Sequence, residues 1–210
     1  MSWQINYAIS SIHHYHREAS THHLRGDAIL ITLPQQAPAV AIISAAYTIN
    51  AELAMAYHEE FPEMEFLCGY RKECVWSGGA ISYVESNSIG WGSAGTLNSA
   101  IGRQPLKTAS HKDYFFSYRL IRQMTSIKSL ERQFDRVFTM TLASGKSYRV
   151  GMIMEYEPTA DAIRTFWDKF GPVDIAWNIN PNGNPTSNAV EAGRNLGCKV
   201  IKWEDLKYLL

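Results

Sequence analysis

Asp135, Glu155 and Glu157 are the residues of this chain whose types and spacing best suit chemistry. Residues two apart on a strand share a face, so Glu155 and Glu157 fall on one side of "GMIMEYE", with Met152, Met154 and Tyr156 on the other. Two carboxylates side by side at the end of an apolar strand repel each other unless water or a cation lies between them. "DRVFTMTL" and "SYRVGMIMEY", joined by a Gly-containing turn, read as a hairpin. With the three-residue loop Ser144-Gly145-Lys146, Asp135 falls opposite Glu155 and three carboxylates converge. With the two-residue loop Ser144-Gly145, Asp135 faces Met154 and the cluster fails. A convergent set of this kind suits Mg²⁺ or Mn²⁺, and a bound divalent ion activates water against a phosphodiester. The competing reading is that the acids cap a solvent-exposed strand end.

Other groupings carry less chemistry. Five of the seven histidines lie between His13 and His23; His13 and His16 could share a helix face, but no further ligand is placed beside them. Gly90-Trp91-Gly92-Ser93-Ala94-Gly95 satisfies GxGxxG, yet it follows a last strand rather than opening a βαβ unit. It therefore reads as a connection where backbones pack closely, the alternative being a nucleotide-phosphate contact through exposed backbone N–H groups. Cys68, Cys74 and Cys198 cannot all pair and form no CxxC, which suits reduced thiols in a cytoplasm.

Twenty basic residues balance twenty acidic ones, so no global field draws the protein to nucleic acid or a membrane. "MSWQINYAISSIHHYH" is too polar for a secretory leader, and no apolar run approaches the roughly 20 residues of a membrane span. Those features give the expectation of a cytoplasmic protein without a membrane partner. Charge is uneven locally. Arg103 to Arg136 holds eight Lys/Arg against Asp113, Glu131 and Asp135. The segment is either a long helix or linker with a solvated face, or a nucleic-acid contact through Lys107, Lys112, Arg119 and Arg122.

The elements around these residues recur. "DAILITL" at Asp27 and "DRVFTMTL" at Asp135 stand 108 residues apart. "AYTINAELAMAYHEEFPEMEFLC" aligns without a gap on "EYEPTADAIRTFWDKFGPVDIAW" at an offset of 109, and "GGAISYVESNSIGW" parallels "SNAVEAGRNLGCKVIKW" with a short length difference. In the second half, "PTADAIRTFWDKFG" has helical spacing with Gly171 as its stop. "VDIAWNI" reads as a buried strand, "SNAVEAGRNLG" as a helix capped by Thr186 or Ser187, and "CKVIKW" as a strand. The expected fold is α/β and internally duplicated: two β-β-α-β-α-β lobes, 1–105 and 106–210, packed as a pseudo-dimer, the first degenerate and the second carrying the acids.

Aspartate, about twenty residues, an acidic pair on the partner strand, then helix, strand, helix, strand: residues 134–210 resemble the restriction-endonuclease-like PD-(D/E)XK fold. "TSNAVEAGRNLGCKVIKWEDLKYLL" is similar to the tail of its Mrr-type branch. The resemblance implies a metal-dependent nuclease, or a nuclease-derived DNA/RNA-processing protein of a bacterial restriction or defence type. Asp135, Glu155 and Glu157 would then be Mg or Mn ligands. Glu157 stands where that fold usually has Lys, and Phe134 where it has Pro, so Lys169 or Lys146 would supply the missing charge. The alternative is a non-catalytic nucleotide- or partner-binding protein, including self-association as a homo-oligomer. It would use Arg71, Lys72, Asn180 and Asn182 at the strand ends where open α/β sheets bind ligands.

Overall fold

The computed structural model describes residues 2–34 and 36–209, and every side chain among them except that of Asp113. The chain divides into two compact units, Met1–Lys112 and Asp113–Leu210, each built on a mixed five-stranded sheet. Segment 106–109 belongs to the first unit because it closes the edge of that sheet: the Trp91 N–H donates to the Ala109 carbonyl at 2.9 Å.

Unit 1 runs α1 (Trp3–Tyr15), β1 (Ser20–His23), β2 (Ala28–Thr32), β3 (Ala39–Ser44), β4 (Thr48–Ile49), α2 (Ala51–Glu60), β5 (Met64–Gly69), β6 (Val75–Trp76), α3 (Gly78–Ser86), β7 (Gly90–Ser93) and α4 (Ala94–Ala100). Its sheet has the order β1-β2-β3-β5-β7. The first three strands are antiparallel, and the crossovers through α2 and α3 make β3, β5 and β7 parallel. Alternation along the strands sends Ile29, Ile31, Ala41, Ile43, Phe66 and Cys68 to the side of α1 and α4. Ala28, Ile42 and Leu67 go to the side of α2 and α3. With helices on both faces, β3 ("AVAIIS") is buried along nearly its whole length, as a central strand of such a sheet must be.

Unit 2 runs α5 (Lys112–Arg122), β8 (Ile127–Phe134), β9 (Val137–Leu142), β10 (Ser147–Ile153), α6 (Ala160–Phe170), β11 (Ile175–Asn178), α7 (Ser187–Asn195), β12 (Lys199–Ile201) and a 3-10 segment, Trp203–Tyr208. Its order, β12-β11-β10-β9-β8, repeats the pattern of two antiparallel and two parallel pairings. Landmarks recur 109 residues apart. The N-caps are Asn50 and Thr159, then Ser77 and Thr186. The Ala28–Ile42 pairing matches Val137–Gly151, Ala41–Phe66 matches Val150–Ile175, and Phe66–Gly90 matches Ile175–Lys199.

Several sequence expectations change here. The α3 and α7 segments have the same length, nine residues, with no length difference between them. "IKSLERQF" is not helix or linker but the edge strand β8, so each unit has three antiparallel strands before its first crossover rather than two. Leu142 N–H donates to the Lys146 carbonyl at 2.8 Å, so the hairpin loop is Ala143-Ser144-Gly145, with Gly145 taking the left-handed conformation (φ 87°). That pairing sets Val137 against Gly151 and carries Asp135 toward Ile153, two residues short of Glu155.

Candidate functional site

The polar side chains of unit 1 gather where β2 begins and β3 ends. Asp27 precedes β2, and its carbonyl accepts the Ile43 N–H at 2.8 Å, which locks its position in the sheet. Its carboxylate accepts from the Tyr57 hydroxyl of α2 at 2.7 Å and from the Gln4 amide of α1 at 3.3 Å. Ser44, fully buried as the last residue of β3, lies 3.1 Å from the Tyr57 oxygen and accepts the Ala46 N–H at 3.2 Å. A phenol has one proton, and the short contact to a carboxylate takes it; the Ser44 hydroxyl then donates back to Tyr57. Burial, and secondarily the Asp27 carboxylate, push Tyr57 up to about 12, so the phenol stays protonated as a donor at neutral pH.

One residue beyond Ser44, the Ala45 carbonyl accepts from Arg71 Nε, and Arg71 Nη1 donates to the Tyr47 hydroxyl at 3.0 Å. Arg71 thus leaves the β5 end across the β3 end, where neighbouring parallel strands carry their loops. Cys68, buried one strand residue before that loop, is raised by burial and stays an unreactive thiol.

The matching places in unit 2 hold different chemistry. Met152 N–H donates to the Arg136 carbonyl at 2.8 Å, so Arg136, and not Asp135, has the sheet position that Asp27 has in unit 1. The resemblance of "DAILITL" to "DRVFTMTL" is displaced by one residue from the structural match. Ile153 stands where unit 1 has Ser44, Phe166 where it has Tyr57, and Asn180 where it has Arg71. The Phe166 ring packs over Gly151, where a Cβ would come within 2.4 Å of it.

Asp135 forms the two-residue turn between β8 and β9 with Arg136, is 3% exposed, and accepts from Arg136 Nη2 at 2.9 Å. Glu155 and Glu157 lie past the end of β10 and are both exposed. The three do not share a strand. Lys169, half-buried at the end of α6, has its ammonium 5.9 Å from the Phe170 ring centroid. Asn180 and Asn182 belong to a self-satisfied turn: Asn180 N–H donates to Asn178 Oδ1 at 3.2 Å, and Asn182 N–H to Asn180 Oδ1 at 3.0 Å. Arg119 and Arg122 are exposed in the last turn of α5, and Lys72 is exposed beside Arg71. His13 pairs with Thr21 at 3.0 Å, His16 with the Asn98 carbonyl at 2.8 Å and His23 with the Gly26 carbonyl at 3.0 Å. Among the described residues, no group of three or more His, Cys, Asp or Glu is placed to hold a metal ion, and no helix is long and apolar enough to cross a membrane.

Gln4, Ser44 and Tyr57 were not legible as site residues; only Asp27 and Arg71 carried a signal, as an acid before an apolar strand and a cation after one. A cavity of about 490 Å³ opens at the other end of the unit 1 sheet, between Leu33–Ala39 and Ile101–Lys107, and no residue of the Asp27 cluster lines it. The polar chemistry and the concave volume of unit 1 are therefore separate features, and the hydrogen-bonded cluster is the better-defined of the two. No protein-family model, curated protein or solved structure matches the chain.

Proposed function

We propose that this is a nuclease-derived protein of two duplicated units that binds nucleic acid through the strand ends of unit 1. The observation that carries the reading is the concentration of Asp27, Ser44, Tyr57 and Arg71 at the carboxyl end of β3 and its neighbours, the end at which open α/β sheets receive ligands. The duplication is supported by caps and sheet registers recurring 109 residues apart, and the nuclease ancestry by the helix, three antiparallel strands, helix and strand in each unit. This reading assigns no hydrolysis to Asp135, Glu155 and Glu157, since Asp135 is neutralised by Arg136 and the two glutamates are solvated beyond β10. Exposed Lys72, next to Arg71, supplies sequence-independent attraction to phosphates. The test is fluorescence anisotropy with labelled DNA and RNA oligonucleotides over a salt series. Binding that weakens steeply as salt rises supports the reading, and absence of binding at low salt removes it.

A further inference from the structure

Beside the strand-end cluster, unit 1 leaves large aromatic rings in water around one ordered cation. Trp3 is 49% exposed, Tyr47 63% and Tyr7 65%. Tyr7 and Tyr70 pack edge-on against Trp3, with centroids 6.2 and 5.9 Å away. The Arg71 guanidinium carbon lies 4.1 Å from the Tyr47 ring centroid and 5.6 Å from that of Trp3. Its Nε is committed to the Ala45 carbonyl and its Nη1 to the Tyr47 hydroxyl, which fix the plane of the group. Among the described residues, no acceptor meets Nη2.

These features select a ligand. A guanidinium already held against the rings repels an alkylammonium guest, which excludes the usual occupant of an aromatic cage. Exposed indole and phenol faces take flat rings, and the free edge of a positioned guanidinium takes phosphate oxygens. Lys72, next in the chain and exposed, adds a second cation. Bases in a duplex have their faces hidden in the stack, whereas an unpaired base offers both. We infer that Trp3, Tyr47 and Arg71 form a stacking site for an unpaired nucleobase, with Arg71 Nη2 and Lys72 on the adjoining phosphate, so that the ligand of these strand ends is single-stranded nucleic acid. This rests on the nucleic-acid reading above and specifies it.

The experiment uses the full chain at low salt, with a fluorescein-labelled oligothymidylate about 12 nucleotides long and a labelled duplex of equal length. The single strand should bind more tightly. Trp3→Ala and Tyr47→Ala should each weaken it by roughly tenfold, within the roughly 5- to 150-fold that one stacked base accounts for. Tyr47→Phe, which keeps the ring but removes the acceptor of Arg71 Nη1, should weaken binding less than Tyr47→Ala does, and Arg71→Lys, which keeps charge without the planar contact, should bind less well than wild type. Trp3 and Tyr47 are exposed, so their variants keep the fold, as unchanged melting curves would verify, and they decide the matter if Arg71 variants melt early. Equal or tighter binding of duplex, or single-strand binding unchanged in Trp3→Ala and Tyr47→Ala, overturns this inference alone. No binding of either probe by the wild type overturns both it and the proposed function.

Discussion

Two strand ends with the same backbone pairing hold opposite interiors. In unit 1, Ile42 fills the central strand, while Ser44, Asp27 and Tyr57 exchange hydrogen bonds at its end. In unit 2 the corresponding strand has Gly151 and Ile153, and Phe166 lies over the glycine with its ring centroid 4.7 Å from that of Phe170. The pair Tyr57 and Phe166 is one of several matched positions at which the two units differ. A phenol on α2 requires an acceptor, which Asp27 supplies; a phenyl on α6 requires volume, which Gly151 supplies. Beyond the strands, unit 1 sends out Arg71, whose Nη2 meets no acceptor among the described residues, while in unit 2 the Asn178 and Asn180 side chains accept from their own turn's backbone. Nearby, Arg149 of unit 2 stands where unit 1 has the apolar, buried Val40. The arginine binds Gln133 at 2.6 Å, the Phe170 carbonyl at 2.7 Å and the Pro172 carbonyl, tying the end of α6 to β10. The comparison separates a backbone framework that both units keep from a hydrogen-bonded strand end that unit 1 alone carries.

The largest effects should come from exchanging the central residues. Ile42→Ala should cost unit 1 about 2–5 kcal/mol through the cavity it leaves. Gly151→Ile should cost unit 2 about 1–3 kcal/mol through overpacking, because its Cβ would fall 2.4 Å from the Phe166 ring. Urea unfolding followed by circular dichroism measures both. If Gly151→Ile is tolerated without loss, the two interiors are interchangeable and the contrast collapses.

Next in size is the phenol itself. Tyr57→Phe should destabilise by about 1–2 kcal/mol, leaving the Asp27 carboxylate short of a donor and the buried Ser44 hydroxyl short of an acceptor, and Phe166→Tyr should destabilise unit 2 by burying a hydroxyl among apolar groups. Tyr57 is raised from 10.0 to about 12 in the fold. Its contribution is therefore complete below pH 10 and lost as pH climbs toward 12, because the unfolded chain releases the proton first. The ring is only partly buried, so solvent screens the effect. Stability of wild type and Tyr57→Phe should converge over that pH range; curves that stay parallel would detach Tyr57 from Asp27.

The smallest effect belongs to the acids of unit 2. Glu155→Gln and Glu157→Gln are exposed changes and should alter stability by no more than about 0.5 kcal/mol, with no added response to Mg²⁺ or Mn²⁺ in a thermal melt. A metal-dependent rise in melting temperature that either substitution abolishes would restore the cluster that strand spacing suggests.

Much of the frame is written locally. Thr159 and Thr186 cap α6 and α7, accepting from the Ala162 and Ala189 N–H groups at 3.2 Å, and Gly171 ends α6 at a φ of 75° that a β-carbon resists. Caps, glycine stops and helical spacing act within a few residues, so the chain alone determines them, and with them the α/β class. The contacts that make a site are not of that kind. Gln4 reaches Asp27 across 23 residues and Tyr57 reaches it across 30, and only the folded sheet brings the three together. Strand register is likewise a tertiary matter. The pairing of Leu142 with Lys146 rather than with a later residue moved Asp135 two places along its partner, and the repeat of an aspartate before each apolar strand concealed a one-residue displacement. Side chains on a strand alternate every residue, so such shifts decide which groups meet. The sequence by itself determined the caps, stops and helical spacing of α6 and α7, while only the packing of α1 and α2 onto the ends of β2 and β3 decided that Asp27, Ser44 and Tyr57 would meet.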